Sequence, residues 1–165
     1  MWYHTSMKKK VYIETTIVSY LTARISRDLV IASHQEITRE LWPKLSDSFD
    51  GFISALVLEE AGRGDPDQSQ KRLAAVDAFP SLDIDDESRE LAEKIIAGKA
   101  IPEEYPEDAL HIAVAAVNGI DVVVTWNFAH LNNPFTRMMV RQLVENNGYR
   151  CPEVCSPAEL LEATE

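Results

Sequence analysis

Glycine is scarce in this chain, with six residues among 165. The sequence has no glycine-rich loop that would cradle a phosphate and no dinucleotide-binding fingerprint. It also lacks a His-Glu-x-x-His run and a serine nucleophile elbow. Nucleotide-cofactor chemistry, zinc peptidase chemistry and serine hydrolysis are therefore poorly supported.

Cysteine and long apolar runs are also nearly absent. Cys151 and Cys155 have no Cys or His partners at a zinc-site spacing, which favours two reduced thiols. No apolar run approaches the roughly 20 residues of a membrane span, and residues 1–7 do not resemble a secretory signal. We therefore expect a cytoplasmic protein with no membrane contact. A single domain over 7–165 is predicted, with 1–6 as an upstream extension or an expression remnant.

Basic residues are outnumbered, with 16 Lys and Arg against 27 Asp and Glu, for a net charge of -11. This balance argues against a nucleic-acid binder with a broadly basic surface. A nuclease whose acids are neutralised by metal needs only a local cluster of cations. Arg137 and Arg141, one helical turn apart, and Arg63 are candidates for phosphate contacts. The alternative is that these arginines are solvated or paired with the abundant acids.

What the chain does contain is an alternation of short strands and helices. We predict strands over 9–13, 49–54, 82–84, 122–125 and 153–155, and helices over 17–22, 27–45, 55–61, 67–79, 87–97, 107–118, 135–147 and 157–163. Thr15 or Thr16 is expected to cap the first helix. The valine-rich fourth strand and the almost wholly apolar helix before it are typical of a parallel sheet buried between helices. The prediction is an α/β fold, a three-layer α/β/α sandwich with a central, mainly parallel sheet.

Three carboxylates and one amide stand near predicted junctions of strands and helices: Glu14, Glu60, Asp108 and Asn127. Ligands of open parallel sheets collect at the carboxyl ends of the strands, so we expect these side chains to face one pocket. Carboxylates held together repel one another unless a divalent cation lies among them. A hard-metal site and phosphodiester chemistry are therefore predicted. For Asp108, a favourable position at a helix N-terminus explains its placement equally well.

These segments resemble the PIN-domain ribonucleases, in particular the VapC-like toxins of prokaryotic toxin-antitoxin pairs. The resemblance rests on the order and spacing of residues 11–16, 53–60 with the following Gly64, 108–115 and 122–127. It implies a PIN-like fold from Met7 to about Pro157. It also implies an Mg²⁺- or Mn²⁺-dependent endoribonuclease with an RNA substrate, an antitoxin protein partner and a homodimeric assembly.

The resemblance also assigns positions in the site. Glu14 takes the place of the family's first acid, normally an aspartate, and its extra methylene moves the carboxylate outward by about 1.5 Å. Glu60, rather than its neighbour Glu59, takes the second place. Asp108 matches the third acid, and Asn127 stands where many members carry a fourth.

Auxiliary roles remain open between two interpretations. Thr125 resembles the hydroxyl residue often found beside the family's site. His111 either orients a carboxylate or contacts phosphate, or it packs between helices, and His130 has the same alternatives. Trp126 either stacks on a base or packs. The apolar residues of the second helix either form an antitoxin surface or belong to the core: Leu29, Ile37, Leu41 and Trp42.

The departures at Glu14 and Asn127 support an alternative function. A PIN-like domain with weakened or lost catalysis would act as an RNA-binding or protein-interaction module. A nucleotide hydrolase or phosphatase with the same hard-metal chemistry is the enzymatic competitor.

Overall fold

Five parallel strands form the centre of the molecule, which is described here over residues 8–164 of a computed structural model. The strands are β1 Lys10–Ile13, β2 Asp50–Ser54, β3 Ser81–Leu82, β4 Val122–Val124 and β5 Glu153–Cys155. Their order is β3-β2-β1-β4-β5, and every pairing is parallel. β1 is central, and its residues Val11, Tyr12 and Ile13 are fully buried.

Nine helices surround this sheet within the described residues: α1 Thr15–Thr22, α2 Leu29–Leu41, α3 Lys44–Asp47, α4 Ala55–Ala61, α5 Pro66–Val76, α6 Asp86–Ala97, α7 Pro106–Val117, α8 Pro134–Asn146 and α9 Pro157–Ala163. The helices α7 and α8 pack against α6, whereas α2, α4 and α5 pack against α1. Helices flank the sheet, which confirms the predicted α/β/α sandwich. No helix in the described part of the chain has the length and apolarity needed to cross a membrane. The proposed extension at residues 1–6 lies outside the described residues.

The single helix predicted over 27–45 is wrong. The structure divides it into α2 and the short α3, with Pro43 between them. Proline has no N–H to donate and its ring obstructs the preceding turn, so α2 ends before it. Asp28 begins α2 by accepting hydrogen bonds from the backbone N–H groups of Val30 and Ile31. The third strand is also shifted toward the N-terminus, and the structure has it at Ser81–Leu82 rather than 82–84.

The apolar residues of the predicted second helix separate into core and surface. Leu41 is fully buried, and Ile37 and Trp42 pack against the core. Leu29 is 85% exposed at the first position of α2. Core packing therefore explains three of the four residues that were candidates for a partner surface.

Cys151 and Cys155 near the last strand are free thiols. Burial raises the pKa of Cys151 to about 11 and that of Cys155 to about 12. Both side chains are therefore protonated at neutral pH and pack as small apolar groups.

Candidate metal centre

Glu14 connects β1 to α1 and is only 3% exposed. Its backbone is extended, and its side chain caps α1 by accepting a hydrogen bond from the N–H of Thr16 at 3.2 Å. The prediction that Thr15 or Thr16 caps this helix is therefore wrong. The hydroxyls of Thr16 and Thr125 donate to the same Glu14 oxygen, Oε1, at 2.5 and 2.6 Å. The capping geometry thus turns the carboxylate back over the first turn of α1.

The partners of Glu14 are all neutral. Two hydroxyls and one backbone N–H contact the carboxylate, and within residues 8–164 it forms no ion pair. An ionised carboxylate in a buried position is costly unless a cation or a dense set of donors compensates it. Each carboxylate oxygen can also accept more than one bond. This side chain is therefore well suited to a cation ligand.

Glu60 lies beside Glu14 but is positioned differently. We expected Glu60 near the start of a helix, but it is the sixth residue of the seven-residue α4, close to the end of that helix. Its Oε1 accepts hydrogen bonds from the Thr15 hydroxyl at 2.5 Å and from His111 Nε2 at 2.7 Å. Its neighbour Glu59 is exposed and pairs with Arg63 at 2.8 Å. The structure thus brings Glu60, and not Glu59, to Glu14.

His111 is fully buried on α7, beneath the Glu60 carboxylate. Its Nδ1 lies 2.6 Å from the hydroxyl of Tyr12, and that hydroxyl lies 2.8 Å from Ser54 Oγ. Nε2 donates to Glu60 whether the ring is neutral or cationic, because the Tyr12 and Ser54 hydroxyls can reverse their donor direction. His111 thus orients a carboxylate, and it also packs within the core.

The electrostatics of this pair follow from burial and from neighbouring charge. Burial acts to raise the pKa of Glu60, but the hydrogen bond and charge of His111, together with Thr15, lower that pKa to about 2. Burial acts to lower the pKa of His111, but Glu60 and Glu14 raise that pKa above its usual range. Burial also raises the pKa of Tyr12, which therefore keeps its proton. The Glu60 carboxylate is thus ionised throughout the physiological pH range.

One group of side chains is close enough to surround a single ion. Potential ligand atoms of Glu14, Glu60 and His111 lie within 4.8 Å of one another. Both nitrogens of His111 are already engaged, by Glu60 and by Tyr12. The imidazole therefore orients Glu60, and the two carboxylates are the members of the group whose oxygens could hold a cation.

Asp108 and Asn127, the other two predicted site residues, are connected through His130. Asp108 is in the first turn of α7, and its Oδ2 lies 3.0 Å from His130 Nδ1. The side-chain oxygen of Asn127 accepts the His130 backbone N–H at 3.0 Å. Asp108 does not belong to the 4.8 Å group, although its charge contributes to raising the pKa of His111. His130 thus contacts a carboxylate, which was one of its two interpretations.

The arginines considered for phosphate contacts have partners within the chain. Arg141 pairs with Glu153 at 2.8 Å. Arg137 donates to the side-chain oxygen of Asn132 at 2.5 Å. Arg63 contacts Glu107 at 3.4 Å in addition to its pair with Glu59. For Arg63 and Arg141 the structure therefore matches the interpretation in which they pair with the protein's own acids, whereas the partner of Arg137 is a neutral amide.

Tyr12 holds His111 in place by a hydrogen bond, Ser54 does the same for Tyr12, and neither residue was predicted to belong to the site. A tyrosine in a fully buried strand requires a hydrogen-bond partner for its hydroxyl, and that requirement was the available signal. The identity of the partner was not available, because Tyr12 and His111 are 99 positions apart in the chain.

Comparison with known proteins gives a fold. No protein-family model matches the sequence, and no curated protein matches it. The structure is similar to a chain in the crystal structure of VapBC2 from Rickettsia felis bound to a DNA fragment from their promoter. The match covers 89% of this chain and 98% of that chain, with a TM-score of 0.56 and 15% sequence identity. The likeness confirms, at the level of the fold alone, the resemblance to VapC-like PIN domains.

Proposed function

We propose that this chain, which has the fold of the VapC-like PIN domains, is a metal-dependent endoribonuclease and the toxin of a toxin-antitoxin pair. The observation that carries the proposal is the pair Glu14 and Glu60. Two carboxylates lie close together, and the more buried of them, Glu14, accepts hydrogen bonds from neutral donors only. Such a pair is compensated by a bound divalent cation.

The donor set fits a hard cation. Carboxylate oxygens are the ligands that Mg²⁺ and Mn²⁺ prefer, and the geometry brings no cysteine into the group. In our proposal Glu14 and Glu60 hold the ion, and Asp108 and Asn127 supply further oxygens or hold its water. A bound ion of this kind orients a water molecule, lowers the pKa of that water and stabilises charge on the phosphate being cleaved.

The chain's own residues keep the carboxylates in place for this chemistry. Thr16 and Thr125 fix Glu14, and Thr15 and His111 fix Glu60. Contacts of this type limit rotation of the ligands and commonly change metal affinity or activity by about 10- to 100-fold when removed. Such rigidity suits Mg²⁺, which requires nearly ideal octahedral geometry.

An antitoxin partner and a homodimer complete the proposal. VapBC2, the structural neighbour, is seen bound to a promoter DNA fragment. In this chain Leu29 is largely exposed at the start of α2 and offers an apolar contact for a partner. A small DNA-binding protein encoded in the neighbouring reading frame would support the pairing. Light scattering coupled to size exclusion tests the dimer, and a monomer at micromolar concentration contradicts it.

A second candidate function is a non-catalytic RNA-binding or interaction module. The specific observation in its favour is that Asp108 contacts His130 and does not belong to the group formed by Glu14, Glu60 and His111. This function predicts no metal dependence. The nuclease predicts saturable Mn²⁺ binding that an Asp108→Ala variant weakens without unfolding.

Cleavage of structured and single-stranded RNAs in Mn²⁺, Mg²⁺ or chelator tests the nuclease. The comparison is between wild type, Glu60→Gln and the matched control Glu59→Gln, which changes an exposed neighbour of the same type. We expect metal-dependent cleavage in wild type and control, and a loss of at least about a hundredfold in Glu60→Gln. Cleavage that ignores the metal or the Glu60 substitution would contradict the proposal, and absence of cleavage in pure wild type would favour the module.

A further inference from the structure

Two aromatic side chains remain exposed at the edge of the candidate site. Tyr105 and Phe128 are each 46% exposed. Tyr105 immediately precedes α7, and Phe128 immediately follows Asn127. Each therefore stands beside a residue of the proposed active site.

Phe128 has a rigid support. Its ring lies edge-on to Trp126 and His34, which stack on each other with centroids 4.0 Å apart. The Trp126 indole N–H donates to the buried Thr38 hydroxyl at 2.8 Å. Packing within the protein therefore explains Trp126, and the neighbouring ring of Phe128 is the one that reaches solvent.

The backbone around Phe128 is held by hydrogen bonds, one of which leads to the site. The N–H of Trp126 donates to the Thr16 hydroxyl, which itself donates to Glu14. The backbone oxygen of Phe128 accepts a hydrogen bond from the Asn133 side chain at 3.1 Å. The backbone next to Phe128 is thus linked to Glu14 through the Thr16 hydroxyl, and the ring itself is held by its edge-on contacts with Trp126 and His34.

Tyr105 is supported by His130, the residue that contacts Asp108. Its ring stacks on His130 with centroids 3.8 Å apart and 30° between the planes. The same imidazole contacts Asp108 at 3.0 Å. The His130 ring is thus held by Asp108, and the Tyr105 ring stacked on it remains exposed to solvent.

We infer that Tyr105 and Phe128 are stacking platforms, each of which binds one unpaired RNA base beside the phosphate that is cleaved. The inference rests on the proposed function, and it adds two base-contacting side chains to that site. Exposed aromatic rings with a fixed position bind bases of any sequence because every base has a flat π face.

The charge of the chain favours stacking over a basic groove. The net charge is -11, and Arg63 and Arg141, two of the arginines considered for phosphate contacts, are paired with acids. Affinity from backbone phosphates would require several unpaired cations and would fall steeply with salt. Stacking supplies affinity without them, so we expect RNA binding to depend weakly on salt.

The test is binding of a fluorescein-labelled single-stranded oligouridine to the non-cleaving Glu60→Gln protein, followed by anisotropy. Phe128→Leu and Tyr105→Leu keep an apolar side chain but remove the ring, and each should weaken binding about tenfold. Phe128→Trp, which keeps an aromatic ring, should bind the RNA as tightly as the parent protein. Phe135→Leu is the matched control, because Phe135 is 77% exposed on α8, and it should leave affinity unchanged.

A second probe tests stacking directly. Replacing uridines by 5,6-dihydrouridine, whose saturated ring cannot stack, should weaken binding to the parent protein but have a smaller effect on Phe128→Leu. Equal affinity of all variants for RNA would overturn the inference. Loss of affinity for an apolar protein partner, with RNA binding unchanged, would overturn it in favour of a protein-docking surface.

Cleavage by the same variants on the wild-type background separates this inference from the proposed function. Metal-dependent cleavage with an unchanged KM in Phe128→Leu would overturn the platforms and keep the nuclease. Ring-dependent RNA binding without cleavage by wild type would keep the platforms and overturn the nuclease. Absence of RNA binding by the parent protein would overturn the platforms, whatever the cleavage result.

Discussion

Glu14 is surrounded by neutral donors, whereas Glu60, in the same cleft, has a histidine at 2.7 Å. The two carboxylates follow neighbouring strands, one directly after β1 and one on α4 after β2. Glu14 is also the more buried of the two. The carboxylate with less access to water is thus the one without a hydrogen bond to His111, although its charge helps to raise the pKa of that imidazole.

The difference indicates which part of the site the protein completes by itself. His111, supported by Tyr12, compensates the charge of Glu60 without any ligand. Hydroxyl dipoles reduce the cost of burying Glu14 but do not neutralise it. A cation bound between the two carboxylates would therefore gain most of its favourable interaction on the Glu14 side.

The largest expected effect concerns the histidine side of the comparison. His111→Leu removes a fully buried imidazole and takes one hydrogen-bond partner each from Glu60 and from the Tyr12 hydroxyl. We expect the free energy of unfolding to fall by about 3 kcal/mol or more, measured by urea denaturation. His34→Leu, which changes a ring packed on Trp126, should cost less. Equal losses would mean that the Glu60 contact has no special weight.

Metal binding is the next effect in size and concerns the Glu14 side. Mn²⁺ at about 100 times its Kd should stabilise the wild type by about 2.7 kcal/mol, because it binds the folded state only. Glu14→Gln should abolish this gain in a thermal denaturation assay. The control Glu59→Gln should retain it, since Glu59 pairs with Arg63 outside the cleft. A full gain in Glu14→Gln would show that the cation does not need this carboxylate.

The pH dependence of the metal-free protein should reflect the Glu60 and His111 pair. The folded pKa of Glu60 is lowered to about 2, so its contribution to stability is present above the unfolded value and is lost as pH falls from about 4.5 toward 2. The folded pKa of His111 is raised, so its contribution is complete below about 6.5 and is lost as pH rises through the folded value. Stability should therefore be highest between these two ranges.

Urea denaturation in chelator at several pH values checks this dependence. Glu60→Gln should flatten both flanks, because it removes the partner that shifts both pKa values. The Glu59→Gln control should keep the wild-type profile. A profile unchanged in Glu60→Gln would place the source of the pH dependence elsewhere in the chain.

The fold was predictable because the parallel strands are short and apolar and the helices between them are marked by glycine, proline and capping residues. The placement of Glu60 rather than Glu59 beside Glu14 was also anticipated. What the sequence could not supply was side-chain direction. Asn127 follows β4 as predicted, but its side-chain oxygen accepts a hydrogen bond from the His130 N–H. This local hydrogen bond, three residues along the chain, sets the direction of the side chain.

The connections between distant residues were also out of reach. The contact of Tyr12 with His111 depends on the packing of α7 over β1, which no local pattern encodes. Glu14 as a helix cap was missed for a different reason. Glutamate is an unusual cap, and Thr15 and Thr16 beside it have the stronger intrinsic preference. The structure instead uses both threonine hydroxyls to donate to the two carboxylates.

The smallest predicted effects come from removing one threonine hydroxyl beside each carboxylate, which compares Glu14 with Glu60 by the same chemical change. Thr125→Val and Thr15→Val each remove one donor from a carboxylate, Glu14 and Glu60 respectively. Thr125 is fully buried and its oxygen also accepts the Asn127 N–H at 2.9 Å, so its loss leaves a backbone donor without a partner. We expect about 1–2 kcal/mol of destabilisation for Thr125→Val and about 1 kcal/mol or less for Thr15→Val.

Mn²⁺ titration followed by calorimetry should show the same order. Thr125→Val loosens the carboxylate that has only neutral donors, so its affinity for Mn²⁺ should fall by about tenfold or more. Thr15→Val should have a smaller effect, because His111 continues to hold Glu60 at the same oxygen. A larger loss in Thr15→Val would reverse the assignment and make Glu60, with its histidine, the carboxylate on which cation binding depends.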